Sequence, residues 1–528
     1  MAAGPFAPGH LGELTGVVPF ELVDAVLAET RSAERRLRAL PSRVGVYFLL
    51  VMCLFPEIGY RLVWDKMTTA LAGMPLVSPT AKALRDLRRR LGSAPVKALF
   101  DVLAGALAQP TTPGVRFGPY RIVSFDGCSS QKVRDTERNR AWLGRTSHHG
   151  YPTLELMTLV ESGTRALVDA VFGPTTTGET SYARRLLHLV TPGMLVLWDK
   201  GFDGNDFLAA VTRTGAQVLG RLRDNRRIPV LARLADGSYL SAIGTVHVRI
   251  VDAHITVTCT DGTTFAASYR LVTTLTDARR YPAPALVTLY HQRWEHESAY
   301  YALRHTLMNG RTLRSGDPAG VEQEMWSLLT LYQALRIVMV DAAESRPGTD
   351  PDRCSFTVAL NTARDHVIQA AGITGTGPIG AIGHKILAAL LPARRPRVST
   401  RKVKSPISRY AVRHDDGRPD TSRPVTALDI TVLDPPAEQT PLPATSRDDR
   451  HTAPAERRRH RILALLEEDP TRLWQPRDIA AHFGDVTLHT MYRQLSRWAE
   501  SGLIHKIGPG LYTATPWTPT PLQTTGDR

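Results

Sequence analysis

The chain has 528 residues, 43% of them hydrophobic and 22% charged, which excludes a disordered or fibrous polymer and predicts a globular protein of roughly two to four domains. Lys and Arg outnumber Asp and Glu by 65 to 50, for a net charge of +15 and a pI of about 9.9, so a polyanionic partner is expected, nucleic acid first. The apolar run Val44–Phe55 is too short to cross a bilayer, the N-terminus has no secretory pattern, and the four cysteines form no CxxC pair; membrane insertion, export and a zinc knuckle are unexpected, and a cytoplasmic, nucleoid-associated protein with reduced thiols is the expectation.

Residues 1–110 read as a helical, DNA-binding domain. "PFELVDAVLAET" and "AKALRDLRRRLGSAPVKALFDVLAGAL" carry apolar residues three and four apart. "SPT" before Ala81 offers a hydroxyl cap. The helix that follows carries Lys82, Arg85, Arg88, Arg89 and Arg90. Such a group is either a solvated face or a DNA-backbone contact, with Arg85, Arg88 and Arg89 as the candidate contacts.

Texture changes after "QPTTPG". Over 111–224, "RIVSFDG", "YPTLELMTLVES", "TRALVDAVFGP", "GMLVLWDKGF" and "AQVLGRLR" read as strands, with helices at "SYARRLLHLV" and "NDFLAAVTRTG". Strands followed by strand–helix alternation predict an α/β fold with a mixed sheet. Residues 225–282, rich in Val, Thr, Ile and Tyr, read as a β-rich insertion, and 283–390 return to helix. Residues 391–453 read as a basic arm, "LPARRPRVSTRKVKSPISRYAVRH", followed by a Pro/Asp/Thr-rich linker. Over 454–528, three helical patterns and a hairpin around Gly-Pro-Gly resemble a winged helix-turn-helix. That reading puts His489, Thr490, Arg493 and Arg497 on the exposed face of a recognition helix; a winged helix that binds protein is the alternative.

The chemistry concentrates in three places. "LYHQRWEHESAYYALRH", Leu289–His305, is read as one helix. At about 100° per residue, Tyr290, Arg293, Trp294, Glu297 and Arg304 share one arc, while Gln292 and Glu295 fall off it. Alone, this fits an i,i+4 pair on a surface helix. Asp126 ends the strand "RIVSFD" and Asp199 ends "MLVLWD". Three converging carboxylates repel one another. Divalent ions such as Mg²⁺, or two ions about 3.5–4 Å apart, relieve that repulsion and serve phosphoryl transfer.

This arrangement resembles the DDE transposases of the insertion-sequence-4 type, over roughly residues 10–410. The family signature of Tyr, two residues, Arg, three residues, Glu, six residues, Lys is matched by Tyr290, Arg293, Glu297 and Arg304, with Arg for the final Lys. The family's first acid lies in an Asp-Gly-Thr turn, here "DGCS" with Cys128 for Thr; its second lies in "DxGF", here "DKGF". The resemblance implies a ribonuclease H-like core with Asp126, Asp199 and Glu297 as catalytic metal ligands. It implies Mg²⁺ or Mn²⁺, two ions per site. Tyr290, Arg293 and Arg304 would hold phosphates and Trp294 would stack on a displaced base. The partners implied are double-stranded DNA, as terminal inverted repeats and target, and a second copy in a paired-end complex. A catalytically silent, domesticated transposase acting as a DNA-binding protein is the alternative.

Overall fold

The computed structural model describes residues 6–34, 36, 38–144, 150–291, 293–373, 379–393, 397–398, 423–435, 454–470, 472–483, 502–508 and 511–514, with 491, 494, 495, 498 and 499; the side chains of 129–130, 294–295, 397–398, 423–424 and 454–460 are not among them. The chain forms two compact units, 1–441 and 442–528.

The first unit opens with five helices: α1 (Phe20–Glu29), α2 (Ser42–Leu54), α3 (Tyr60–Thr68), α4 (Ala81–Leu91) and α5 (Ala94–Leu103). The apolar run is α2, buried on nearly every side. Thr80 caps α4 by accepting from Ala83 N, and Gly92, at φ +69°, ends it. These helices share one core with later helices and with side chains of three strands, among them Cys128, Leu154, Leu156, Val160 and Leu167. Among the described residues, the first 110 hold no core of their own.

The sheet is mixed. Its strands are β1 (Arg116–Phe117), β2 (Tyr120–Lys132), β3 (Thr153–Glu161), β4 (Leu167–Pro174), β5 (Met194–Trp198), β6 (Gln217–Arg221), β7 (Ala232–Arg233), β8 (Tyr239–Ile243), β9 (Val246–Cys259), β10 (Thr264–Thr273), β11 (Arg397–Val398) and β12 (Arg423–Val432). The main path runs β11-β12-β9-β10-β6-β5-β2-β3-β4. β2, β5 and β6 are parallel neighbours; the pairs β2–β3, β3–β4, β6–β10, β9–β10 and β9–β12 are antiparallel. Parallel central strands buried on both faces explain the unbroken apolar text of "MLVLW".

Between the strands lie α6 (Glu137–Leu143), α7 (Glu179–Leu186) and α8 (Asn205–Thr212), and after β10 come α9 (Ala283–His291), α10 (Trp294–Tyr301), α11 (Pro318–Glu344), α12 (Phe356–Gln369) and α13 (Ala381–Ala388). α7 and α8 cover one face of the sheet through Tyr182, Ala183, Leu186, Phe207, Leu208 and Val211. α11, capped by Asp317 with Pro318 at its first turn, runs through the core that it shares with the N-terminal helices.

Two expectations change. Residues 415–453 are not all linker, because β12 pairs with β9 from Val425↔Cys259 to Val432↔Ala253. Leu428, Ile430 and Val432 alternate with exposed Ala427, Asp429 and Thr431, a strand pattern hidden among Pro and Asp.

The second correction is Arg88. It is buried, its Nε donates to Gln323 Oε1 at 3.0 Å, and its Nη2 donates to Ser315 Oγ at 3.0 Å, with Tyr60 as a third partner. It ties α4 to α11 and is not available to DNA, whereas Arg85 and Arg89 are exposed. Arg88→Ala is expected to lower stability by about 3 kcal/mol, because three partners lose a charged donor. Arg85→Ala and Arg89→Ala should stay within about 0.5 kcal/mol. Denaturant melts check this; equal midpoints for all three would return Arg88 to the surface group.

The second unit has α14 (Pro454–Glu468), α15 (Pro476–Phe483) and a hairpin of β13 (His505–Gly508) and β14 (Leu511–Thr513). Ile462, Leu466, Ile479, Met491, Leu495, Trp498 and Tyr512 form its core. Most of the expected recognition helix, including His489, Thr490, Arg493 and Arg497, lies outside the described residues.

Candidate active site

Strand register brings the first two acids together. β2 and β5 run parallel with Ser124 opposite Leu197. Two residues further on in each chain segment stand Asp126, still within β2, and Asp199, just past the end of β5; continuing the register would set them level across an inter-strand spacing of about 4.8 Å. Asp126 Oδ1 accepts from Gly127 N at 3.0 Å. Asp199 caps the turn Lys200–Phe202, its Oδ1 accepting from Gly201 N at 2.7 Å.

The third acid arrives on α10. Arg293 stands between two carboxylates: Nη2 is 3.3 Å from Glu297 Oε1, and Nη1 is 3.7 Å from Asp126 Oδ2. Burial works against the Arg293 charge, but Tyr290, Asp126, Glu297 and Asp199 around it hold the guanidinium's proton above the ordinary range. Asp126 is pushed up to about 7, first by burial; Arg293 opposes that rise, and Asp199, Glu297 and Glu179 add to it. Asp126 therefore feels the charge of both other acids.

The expected single helix over 289–305 is three segments. α9 ends at His291, α10 starts at Trp294, and 302–307 is a π-helical stretch. A wider turn of this kind is frequent at functional sites. The i,i+4 pairing of Arg293 and Glu297 survives because Arg293 is the N-cap residue of α10 and Glu297 lies in its first turn. Tyr290 lies before the break, and its position differs from the expected phosphate contact. Its ring is buried and its hydroxyl donates to the Trp198 carbonyl at 3.2 Å. It thus steadies the strand end that carries Asp199. Trp294 begins α10, and its side chain lies outside the described residues.

Arg304 sits in the π-helical stretch with Nη1 3.8 Å from Cys128 Sγ. The two departures from the family signature therefore touch each other.

Behind the acids runs a buried chain of hydroxyls that sequence reasoning missed. His296 Nδ1 is 2.7 Å from Ser124 Oγ, and its Nε2 is 2.7 Å from Thr158 Oγ1. Thr158 Oγ1 is 2.9 Å from Tyr300 Oη, and Tyr300 donates to the Asp126 carbonyl at 2.6 Å. With Tyr300's proton on that carbonyl, Thr158 must donate to Tyr300 and accept from His296. That assigns the hydrogen to Nε2 and leaves Nδ1 to accept from Ser124. Burial, then Arg293, holds His296 neutral. The helix carrying Glu297 is thereby pinned to the strand carrying Asp126. The sequence signal was the i,i+4 spacing of His296 and Tyr300 beside the acid.

The donor set suits a hard divalent cation: carboxylate oxygens alone, with mutual repulsion at Asp126 that a cation would relieve. As placed, however, no group of three His, Cys, Asp or Glu among the described residues closes around a single ion.

An acid within a central strand, an acid at the end of its parallel neighbour and an acid on a later helix are the placement expected of a DDE phosphoryl transferase. Family comparison agrees. Residues 8–101 match the insertion element 4 transposase N-terminal model, and residues 118–333 match the transposase DDE domain. The chain is 28% identical over 403 residues to transposase InsG for insertion sequence element IS4 of Escherichia coli K12, covering 73% of this chain and 90% of that protein. The chain belongs to the insertion-sequence-4 family of DDE transposases and is a DNA transposase, catalysing metal-dependent DNA cleavage and strand transfer. A cryo-EM structure of a piggyBac transposase synaptic complex with hairpin DNA overlaps 71% of this chain and 85% of that one, at 11% identity and a TM-score of 0.37; a likeness that loose carries no argument. Among the described residues, no helix is long and apolar enough to cross a membrane.

Proposed function

We propose that this transposase binds the terminal inverted repeats of its own element and moves it by cut and paste. The observation that carries the reading is the level placement of Asp126 and Asp199 with Arg293 joining Asp126 to Glu297. These three acids would hold Mg²⁺ or Mn²⁺, two ions per site, whose chemistry is to activate the attacking oxygen and stabilise the leaving one. In the first step a water oxygen bonds to phosphorus as the bond to the 3′ oxygen breaks, leaving a 3′-hydroxyl and a 5′-phosphate. The 3′-hydroxyl then attacks target DNA, and no protein–DNA covalent bond is needed.

Arg293 keeps Asp126 and Glu297 from separating as charge moves. Arg304 stands ready for a phosphate beside Cys128. Tyr290 acts through the Trp198 carbonyl to orient Asp199. Trp294 stacks on a displaced base. A ribonuclease H-like core, a C-terminal winged helix reading DNA through His489, Arg493 and Arg497, and a homodimer holding paired ends complete the reading.

The test is cleavage of DNA bearing the element's own ends. EDTA is expected to abolish cleavage while end binding persists, and Mg²⁺ or Mn²⁺ to restore it. Cleavage that continues in EDTA would sink the three-acid mechanism. Binding without cleavage in either metal would favour the silent, DNA-binding reading.

A further inference from the structure

Glu179 is the first residue of α7, and it heads an unusual stripe. Tyr182, Ala183 and Leu186, at three, four and seven residues on, are the buried face of that helix. Glu179 therefore points a carboxylate toward the sheet at a position where periodicity calls for an apolar side chain. Its destination is visible from two glycines. A Cβ added at Gly127 would stand 2.6 Å from Glu179 Oε1. A Cβ added at Gly201 would stand 3.5 Å from Glu179 Oε2 and 2.8 Å from Asp199 Oδ1.

Gly127 follows Asp126 directly, and Gly201 follows Asp199 by two. One carboxylate thus lies beside the backbone that follows each aspartate. Gly127 has no positive φ, so its backbone does not demand glycine; the room taken by Glu179 does. A second acid lies close by on β3. Glu155 is 3% exposed, and its Oε1 finds no hydrogen-bond partner among the described residues. The charge of Glu179 is felt at both Glu155 and Asp126. Glu179 itself is exposed, so the fold does not require its burial, and it approaches the aspartates from the helix layer on the side of the sheet away from α10.

We propose that Glu179 is a fourth carboxylate of the active site, placing an oxygen on the divalent ion held with Asp199. This rests on the reading that Asp199 is an ion ligand. As placed, the described acids, Glu179 among them, do not close around a single ion, so ion binding would have to draw Glu179 and Asp199 together.

The experiment titrates Mn²⁺ into the full chain, following free Mn²⁺ by electron paramagnetic resonance, with melting temperatures in parallel. Glu179→Gln is expected to weaken Mn²⁺ binding by about tenfold or more with an unchanged melting temperature. Glu29→Gln, an exposed acid on α1, is expected to change nothing. Asp199→Asn separates the two levels of the argument. If Asp199→Asn loses Mn²⁺ and Glu179→Gln binds as wild type does, the Glu179 assignment fails and the three-acid site stands. If neither variant loses Mn²⁺, both readings fail. A loss in Glu29→Gln as large as in Glu179→Gln would reduce the effect to long-range charge and overturn the proposal.

Discussion

Glu297→Gln is expected to cut DNA cleavage by three orders of magnitude or more while leaving the fold and end binding intact, on the order of what losing a principal catalytic group costs. The amide keeps the shape of the side chain and can still accept a hydrogen bond from Arg293. It cannot supply an anionic oxygen to a cation. The stability cost should be small, about 0.5 kcal/mol at most, because the side chain is 37% exposed and the pair it loses is a single 3.3 Å contact. Single-turnover cleavage of end-bearing DNA, measured beside a thermal melt, separates the two quantities. Normal cleavage by the variant would make the Arg293–Glu297 contact an ordinary surface pair and remove Glu297 from the chemistry.

Much of this site was legible because its signals are local. The i,i+4 pairing of Arg293 with Glu297 needs only a helix, and a short apolar strand ending in Asp needs only a sheet. What joins these pieces is not local. The level placement of Asp126 and Asp199 depends on β2 and β5 being parallel neighbours, although β3 and β4 lie between them in the chain.

Arg88 departs from the expected surface group for a different reason: its position on the helix outweighs its residue type. On a wheel of about 100° per residue, Arg88 falls about 40° from Leu84 and about 60° from Leu91, inside the apolar stripe. Arg85 and Arg89 fall outside it. Glu179 lies outside the helical pattern visible in the sequence, which begins at Ser181, so its place at the start of α7 shows only in the fold. β12 was read as linker because its strand is edged by Arg423 and Pro424 and follows a basic, Pro-bearing arm. Its partner β9 is more than 150 residues earlier, beyond any pattern a window can see. The start of α10 after Arg293 and the π-helical stretch carry no Pro or Gly, so nothing in the sequence announces them.

Arg304→Ala is expected to lower cleavage by about a hundredfold, on the scale of removing one donor to a charge that develops in the transition state. Arg304 sits about two turns beyond Glu297, in the wider π-helical stretch, and its guanidinium meets Cys128 two residues past Asp126. Losing it removes a cation from the mouth of the site and leaves the acids more repulsive. Arg304→Lys keeps the charge and gives up the planar fork, so activity should survive to within about tenfold. The contact with Cys128 adds a sharper test. The family pattern sets Thr and Lys at these two positions where this chain has Cys and Arg. If the two departures are matched to each other, Arg304→Lys should cost less in a Cys128→Thr background than alone, giving a coupling of at least about 0.5 kcal/mol in a double-mutant cycle on cleavage rate. Strict additivity would mean that the 3.8 Å contact has no energetic content. A hundredfold loss in Arg304→Lys, with no recovery in the Cys128→Thr background, would show that the fork itself grips the phosphate.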